Sequence, residues 1–390
     1  MGEWTSRRRV ETTLRHGEPD RVPLDLTITI DAYSRLRSYL GLPPDTQMMD
    51  VDRMTEVRPK PDLLRVLGVD MTYVRLGKPS TWIPPRALPG VEWDEWGVGR
   101  TRVELPGGGS NAEVTHSPLS GRPASETSLD AYPWPDPTDP GYISGLAEDA
   151  CRLYEETDLA LMGRFGRGIM ATSYYLRGYQ EWMEDLTLEP DFARALLERV
   201  AEIMIGLDEA GLRAAGPYLS VLRVSGEDLG MQDRGLFSRG IWRGLIYPVL
   251  RRRWIAARRI LNEVAPGCRL LLHSCGAIRE YIPDLIEAGI EVIDPVQVHS
   301  AGMEPEALKR DFGDRLCFHG GVDTQAILPL GTRDDVRRET TRLIHALGPG
   351  GGYVLAAVHH VQSDVPPENL VTMFETARMV GCYPLAAPIG

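Results

Sequence analysis

The sequence lacks the features that mark membrane, secreted and nucleic-acid-binding proteins. No apolar run approaches the roughly 18 residues that a membrane-spanning helix needs. No apolar stretch follows the basic residues at the N-terminus, so we predict no signal peptide. The formal net charge is −12, from 43 Lys and Arg against 55 Asp and Glu, which argues against a surface for nucleic acid or anionic membranes. We therefore expect a cytoplasmic protein whose substrate is a small molecule.

Cysteine is scarce, with five residues scattered over a chain of 390. An odd number without a spacing pattern predicts a reducing compartment rather than a disulfide framework, and we expect Cys151, Cys268 and Cys382 to be structural. Hydrophobic residues make up 43% of the chain and charged residues 25%. That composition allows a large core and indicates a globular enzyme.

Short β-rich runs alternate with amphipathic helical stretches along most of the chain. The predicted strands are 22–26, 69–76, 159–165, 220–225, 268–273, 291–296, 315–319 and 353–359. The predicted helices include 191–214, 239–264, 333–346 and 367–380. Eight strands that alternate with helices favour an α/β fold whose parallel sheet closes as a (β/α)8 TIM barrel. An open, doubly wound sheet is the alternative.

Residues 81–142 interrupt this alternation because they are rich in Pro, Gly, Ser and Trp. Two short strand-like runs, 91–97 and 112–116, lie inside the stretch. Loops of this length are usually functional or disordered, and the Trp content favours an ordered one. We predict an insertion that contains a β-hairpin and packs beside the mouth of the barrel.

Polar and titratable residues follow five successive predicted strands, at the end where barrel enzymes place their active sites. The candidates for a catalytic role are Glu227 and Asp228 after the fourth strand and His319 and Asp323 after the seventh. The candidates for contact with the substrate are Gln232, Gln297, His360 and Gln362. Convergence of so many polar residues at one end of the sheet predicts an active site there.

Two strong metal ligands, His273 and Cys275, lie at positions i and i+2 where a buried strand meets a loop. Side chains at that spacing on a strand point to the same side, so an imidazole and a thiolate could bind one ion without distorting the backbone. If His359 reaches the same place, three protein ligands leave a fourth position open, which is the arrangement of a catalytic zinc. We predict a metal site at these three residues.

Several of these residues have a second interpretation. Cys317 and His319 repeat the i, i+2 spacing in reverse order and form a rival site, although Cys317 lies in an apolar strand and is expected to fill the barrel interior. Glu227 and Asp228 are adjacent, so only one need face the site, where it could ligate a metal, orient a ligand imidazole or act as a general acid or base. Asp323 could equally cap the helix that follows it.

The chain resembles the uroporphyrinogen decarboxylase superfamily over nearly its whole length. The matching segments are 11–23 (ETTLRHGEPDRVP), 94–97 (DEWG), 132–137 (YPWPDP), 226–232 (GEDLGMQ), 318–323 (FHGGVD) and 359–369 (HHVQSDVPPEN). The resemblance implies a single barrel domain over residues 1–390. The superfamily includes porphyrinogen decarboxylases and zinc-dependent methyltransferases that exchange methyl groups with a corrinoid (cobalamin) cofactor.

The resemblance favours the methyltransferase branch. The decarboxylases carry an Arg-Gln-Ala-Gly-Arg segment near the N-terminus, whereas residues 27–35 read TITIDAYSR. The methyltransferases have a His-x-Cys pair, which His273 and Cys275 match, followed by a distant Cys ligand. Counting back from residues 367–369 places His359 at that third ligand, where the decarboxylases also have His. Tyr174 falls where the decarboxylases have an active-site tyrosine.

The function that these features imply is a zinc-dependent transfer of a methyl group. A ligand set rich in His suits oxygen donors, so we expect demethylation of a small methoxylated compound (O-demethylation), with transfer to or from a thiol as the other direction. We recognise no corrinoid-binding segment in this sequence, so the corrinoid is expected on a partner protein. Relatives of this kind are often homodimers. The alternatives are a metal-assisted decarboxylase or lyase of a small acid, a uroporphyrinogen decarboxylase-like enzyme, and a non-enzymatic binding protein.

Overall fold

The computed structural model describes residues 4–46, 56–85, 87–105, 109–224 and 226–385. The strands are β1 (Ile28–Thr29), β2 (Glu56–Val57), β3 (Met71–Arg75), β4 (Val91–Trp93), β5 (Gly99–Glu104), β6 (Ser110–His116), β7 (Ala160–Arg164), β8 (Leu219–Val224), β9 (Arg269–His273), β10 (Val292–Asp294), β11 (Cys317–His319) and β12 (Tyr353–Val354). The α-helices are α1 (Ser6–Thr13), α2 (Ile30–Tyr39), α3 (Pro61–Leu67), α4 (Glu126–Asp130), α5 (Leu146–Glu156), α6 (Ile169–Arg177), α7 (Tyr179–Leu188), α8 (Pro190–Ala215), α9 (Arg239–Ile241), α10 (Tyr247–Val264), α11 (Ile282–Glu287), α12 (Pro305–Phe312), α13 (Ile327–Leu330), α14 (Arg333–Leu347) and α15 (Pro367–Val380).

Seven of these strands form one parallel sheet in the order β12-β11-β10-β9-β8-β7-β3. Residues 22–26 lie between the two edge strands and bond to both. The N–H of Asp70 donates to the carbonyl of Leu24 (2.8 Å), the N–H of Asp25 donates to Leu355 (3.0 Å), and the N–H of Leu355 donates to Pro23 (2.9 Å). These bonds close the sheet, which confirms the predicted α/β barrel and excludes the open alternative, although residues 22–26 are not a regular strand.

The barrel interior contains a layer of apolar side chains that comes from every second residue of the strands, as the two-residue period of a strand requires. Its members are Met71, Tyr73, Ala160, Met162, Val221, Leu271, Val292, Cys317 and Val354, joined by Val10 and Leu14. Val10 belongs to α1 and Leu14 follows it directly, so this helix covers the N-terminal end of the barrel. The opposite end, where the strands finish, is left for the polar groups described below.

The predicted insertion contains a three-stranded antiparallel sheet, β4-β5-β6, instead of a two-stranded hairpin. Asp94, between β4 and β5, holds it in shape because its Oδ1 accepts the N–H groups of Trp96 and Val98, both at 2.9 Å. The same carboxylate pairs with Arg167 from the loop after β7 at 3.0 Å, which fixes the insertion to the mouth of the barrel. Residues 106–108 of the Gly-rich stretch lie outside the described residues.

The helix predicted over residues 239–264 is interrupted. A π-helical turn, Trp242–Ile246, separates α9 from α10. Pro248 in the first turn of α10 has no N–H to donate, and the N–H of Tyr247 bonds to the carbonyl of Trp242, five residues back. The last helix, α15, has the predicted bounds of 367–380. Among the described residues, no helix is long and apolar enough to cross a membrane.

Candidate metal centre and adjoining cavities

A layer of polar side chains lies above the apolar layer, at the C-terminal end of the strands. Each member stands two positions after an apolar interior residue of its strand, so it points into the barrel. The members are Arg75, Arg164, Arg223, His273, Asp294 and His319. The barrel thus carries an apolar interior and a charged mouth.

His273, Cys275 and His359 converge in this layer. One ligand atom from each lies within 4.8 Å of the others. The Sγ of Cys275 is 3.6 Å from Nε2 of His273, and the rings of His273 and His359 are 5.7 Å apart between centroids. His273 ends β9 and Cys275 follows in the next loop, so the strand geometry brings the first two together as predicted. The loop after β12 supplies His359.

Asp294 at the end of β10 fixes the orientation of His273. Its Oδ2 lies 2.7 Å from Nδ1 of His273, so a proton on Nδ1 leaves the Nε2 lone pair facing Cys275. Arg223 lies 3.2 Å from the same carboxylate oxygen and 2.7 Å from Nδ1, and with the proton on Nδ1 its donor goes to the carboxylate. A carboxylate behind a histidine is the usual outer partner of a metal ligand.

The loop that carries Cys275 is packed tightly against the loop after β8. The N–H of Cys275 donates to Oδ1 of Asp228 at 3.0 Å, and the N–H of Gly276 donates to Oε1 of Gln297 at 2.7 Å. Gly276 has φ +87°, and a Cβ there would lie 2.3 Å from the backbone of Gly230. Only glycine fits that contact, so the position of the thiol is fixed by backbone packing.

The three side chains suit a divalent metal ion of the zinc type, which takes imidazole nitrogen and thiolate sulfur. Burial, followed by the Asp228 and Asp294 carboxylates, raises the pKa of the Cys275 thiol well above its usual range. Metal binding would therefore release the thiol proton. Burial, followed by neighbouring cationic groups, lowers the pKa of His359 well below its usual range, which keeps the imidazole neutral and its lone pair available.

His319 is held between two carboxylates. Its Nδ1 donates to Oδ1 of Asp294 at 2.8 Å and its Nε2 donates to Oδ2 of Asp25 at 3.0 Å. Burial works against the charged ring, but the two carboxylates raise the pKa of His319 to about 9. Neither ring nitrogen is free to ligate a metal, and Cys317 lies deeper, in the apolar layer. The rival metal pair is therefore not assembled.

Two cavities adjoin the cluster. The inner cavity has about 10 Å³ of free space and is lined by the His273 and His359 rings together with Arg164, Arg223 and His319. The outer cavity has about 320 Å³ and opens on Cys275 and His359. Besides Cys275 and His359, four predicted site residues line the outer cavity: Gln297, Asp323, His360 and Gln362. It is at the lower end of the size range of small-molecule sites.

Asp323 lines the outer cavity and also performs the capping role that was its alternative. Its Oδ2 accepts the N–H groups of Gln325 (3.2 Å), Ala326 (2.6 Å) and Ile327 (2.9 Å) at the start of α13. Because this one oxygen already accepts three backbone N–H groups, the main role of Asp323 is to cap α13.

Three predicted site residues lie elsewhere. Glu227 is completely buried and accepts the N–H groups of Ile169 (2.6 Å) and Met170 (3.0 Å) at the start of α6. Gln232 donates to the carbonyl of His299 at 3.0 Å on the exposed loop. Tyr174 packs edge-on against aromatic rings of α6 and α7. Glu227, Gln232 and Tyr174 are not among the described residues that line the inner or the outer cavity.

Sequence reasoning missed the cationic residues of the mouth and their partners. Glu56 of β2 binds Arg164 at 2.6 Å, Arg75 at 3.2 Å and His360 at 3.1 Å. Asp25 holds His319 as described above. The arginines could have been found from the strand period, because each follows an apolar interior residue by two positions. Asp25 lies in a segment that is not a regular strand, and Glu56 lies in the two-residue strand β2 outside the barrel sheet, so neither leaves such a signal.

Comparison with known proteins gives consistent results. The family model described as "Uroporphyrinogen decarboxylase (URO-D)" matches residues 112–380. A uroporphyrinogen decarboxylase from Pseudoalteromonas translucida is 24% identical over 267 residues, which cover 66% of this chain and 70% of that protein. One from Alkalilimnicola ehrlichii is 22% identical over 267 residues, 66% of this chain and 67% of that protein. The solved structure of a methyltransferase from Methanosarcina mazei superposes with a TM-score of 0.62 at 17% identity, covering 97% of this chain and 99% of that one. This last likeness supports the fold.

Proposed function

The chain belongs to the uroporphyrinogen decarboxylase family, and from that premise we propose that it is a zinc-dependent methyltransferase. The proposed methyl donor is a small methoxylated compound, and the proposed acceptor is a corrinoid carried by a partner protein. The observation that carries the proposal is the convergence of His273, Cys275 and His359 beside a cavity of about 320 Å³. Three protein ligands with space next to them are typical of a catalytic zinc site.

When bound, zinc would supply Lewis acidity to the oxygen from which the methyl group leaves. The chain's own residues prepare that site. Asp294 sets the tautomer of His273, Asp228 holds the backbone of Cys275, and Gln297 fixes the loop between them. The outer cavity would hold the donor with its methyl group turned towards the mouth, where a corrinoid could approach. Two nitrogen ligands and one thiolate make a harder site than a set with two thiolates, which suits an oxygen donor.

A second candidate is decarboxylation of a small acid on the same scaffold. It is favoured by the names of the curated relatives and by the arginines of the inner cavity. A polyanionic tetrapyrrole suits this chain less well than a small acid, because none of the described residues that line the outer cavity is Lys or Arg. Release of carbon dioxide without methyl transfer would favour this candidate.

The deciding experiment is metal analysis of the purified wild type beside Cys275→Ala and His359→Ala. We expect one zinc per chain in the wild type and its loss in both variants, because each removes one of three ligands. Cys317→Ala is the matched control: it deletes the same side chain from the apolar layer and should keep its zinc.

Retention of zinc by Cys275→Ala and His359→Ala would refute the site. If zinc binds as expected, the wild type should methylate added cob(I)alamin from a methoxylated aromatic compound, and a wild type that retains zinc but transfers no methyl group would refute the function.

A further inference from the structure

The wall of the outer cavity contains an amide whose orientation is fixed by the backbone. Gln297 follows β10, and its Oε1 accepts the N–H of Gly276 at 2.7 Å. The backbone N–H needs an acceptor, so the side-chain oxygen faces Gly276 and the amide nitrogen faces away from it. That nitrogen has no acceptor among the described residues and is not buried, and Gln297 lines the outer cavity. The cavity therefore has a hydrogen-bond donor beside the loop of Cys275.

The carboxylate of Asp323 supplies the opposite kind of group. Its Oδ2 accepts three backbone N–H groups at the start of α13, whereas its Oδ1 accepts none from a described residue. Asp323 is only 4% exposed, yet Oδ1 is not among the buried atoms that lack a partner. The little surface that Asp323 keeps belongs to the wall of the outer cavity. Oδ1 therefore presents a charged acceptor to a molecule bound there.

The charges around the outer cavity disfavour an anionic ligand. The carboxylates of Asp323 and Asp364 line it, and none of the described lining residues is Lys or Arg. His360 lines it too, but its Nε2 lies 3.1 Å from Oε2 of Glu56, so a charge on this ring would be matched by that carboxylate. The arginines of the inner cavity share their space with two carboxylates. A carboxylate in the outer cavity would thus meet like charges without a guanidinium or ammonium partner in the described wall.

We propose that Asp323 and Gln297 select the substrate of the outer cavity, which is an uncharged methoxylated compound that also carries a hydroxyl group. Oδ1 of Asp323 accepts the hydroxyl proton, and Nε2 of Gln297 donates to an oxygen of the same molecule. An ether without a hydroxyl group leaves the carboxylate oxygen unpaired, and a carboxylic acid adds a second negative charge. The methoxy group rests on the proposed function, but recognition of the hydroxyl group needs neither a metal nor methyl transfer.

The test is calorimetric titration of the full chain, as purified and after removal of metal by a chelator. The probes are the three isomers of methoxyphenol, each beside the dimethoxybenzene and the methoxybenzoate with the same substitution pattern. We expect at least one methoxyphenol to bind roughly tenfold more tightly than both of its counterparts, in both forms of the protein. If no methoxyphenol binds more tightly than both counterparts, the proposal is overturned.

Two isosteric variants assign the selectivity to these residues. Gln297→Glu keeps an oxygen for the N–H of Gly276 but replaces the donor with an acceptor, so it should weaken binding of the methoxyphenol roughly tenfold. Asp323→Asn keeps an oxygen for the cap of α13 but replaces Oδ1 with an N–H donor, so the preference for methoxyphenol over methoxybenzoate should reverse. Asp139→Asn is the matched control, because Asp139 also accepts three backbone N–H groups but lines neither cavity. It should leave the selectivity unchanged.

Unchanged selectivity in either folded variant would overturn the role of the residue that it replaces. If Asp323→Asn does not fold, Gln297→Glu and the wild-type affinities still decide. Selective binding without methyl transfer to cob(I)alamin would refute the proposed function and leave this recognition intact. Equally fast methyl transfer from methoxyphenols, dimethoxybenzenes and methoxybenzoates would refute the recognition and leave the proposed function intact.

Discussion

At the scale of single residues, Asp294 is the centre of the mouth. It accepts hydrogen bonds from His273, His319 and Arg223. Burial works to raise its pKa, but His319, His273 and Arg223 hold the pKa of Asp294 well below its usual range. The carboxylate therefore stays charged, and it connects the proposed metal ligand to the His319 and Asp25 pair. Replacing His319 should therefore change the electrostatic potential at the other side chains of the polar layer.

We predict that the stabilising effect of His319 depends on pH. Its pKa of about 9 in the folded protein stands above the ordinary 6.5, so its contribution is present in full below about pH 6.5 and is lost as the pH rises through 9. The shift corresponds to about 3 kcal/mol. Urea unfolding should show His319→Gln to be less stable than the wild type by about that amount at pH 6 and by much less at pH 10.

The control for this measurement is His299→Gln, an exposed residue at the rim of the outer cavity. It should show no pH-dependent difference from the wild type. Because the variant is compared with the wild type at each pH, the contributions of groups that titrate in both proteins to the free energy of unfolding cancel. A deficit for His319→Gln that is equal at pH 6 and pH 10 would contradict a charged His319.

At this scale, the position of a side chain could be predicted from the sequence where strand geometry fixes it, whereas its role as a metal ligand stays a prediction. His273 and Cys275 are two positions apart at a strand end, so their convergence followed from the period of a strand. His359 was proposed only on the condition that it reaches the same place, because 84 residues separate it from Cys275 and no local pattern joins them; the resemblance to a family then favoured it. Asp25 and Glu56 could not be found, since neither stands on a regular interior position.

At the scale of elements, the helix α6 depends on a carboxylate from the loop after β8. Gly168 at its start offers no side-chain cap, and Glu227 accepts the N–H groups of Ile169 and Met170 instead. Burial raises the pKa of Glu227 to about 7, although Arg253 and the two amides oppose the shift. A buried acid with such a pKa resembles a catalytic group, but its partners here are backbone donors at the start of a helix.

We predict that Glu227→Ala destabilises the fold without removing the metal. Two buried N–H groups would lose their acceptor, which costs about 2–4 kcal/mol. Asp228→Ala is the matched variant, since it removes the adjacent carboxylate but releases the backbone of Cys275. It should lower metal affinity by roughly tenfold or more and change the stability less.

Urea unfolding and metal analysis of the two variants make the distinction. Loss of activity in Glu227→Ala with unchanged stability would support the catalytic role that its position after the fourth predicted strand first indicated. The sequence alone did not decide which of Glu227 and Asp228 faces the site. Adjacent residues on an extended segment face opposite ways, so either one could have done so.

The order and type of the main elements followed from the sequence because the barrel repeats one unit. Seven of the eight predicted strands are regular and all eight segments take part in the closed sheet. The structure departs from the predicted elements where tertiary contacts override the local sequence pattern. The turn Trp242–Ile246 widens before Pro248, and the insertion forms three strands held by Asp94 and Arg167.

At the scale of the whole molecule, the candidate metal centre joins two distant parts of the barrel. His273 and Cys275 belong to β9 and its following loop, whereas His359 follows β12, and β10 and β11 lie between them in the sheet. The sheet also closes next to β12, through hydrogen bonds between residues 22–26 and Leu355. An ion bound at the three ligands would therefore link the closing edge of the barrel to its middle strands.

We predict from this arrangement that removal of metal lowers the thermal stability of the wild type. A ligand that binds only the folded state at 100 times its Kd adds about 2.7 kcal/mol, so chelator treatment should lower Tm by several degrees and added zinc should restore it. Differential scanning calorimetry of the treated and restored protein measures both changes. Cys275→Ala should show neither, because it lacks the thiolate, while Cys317→Ala should behave as the wild type does. An equal loss of Tm on chelation in Cys275→Ala would mean that the stabilising ion binds elsewhere, and the link between β9 and β12 would have to be abandoned.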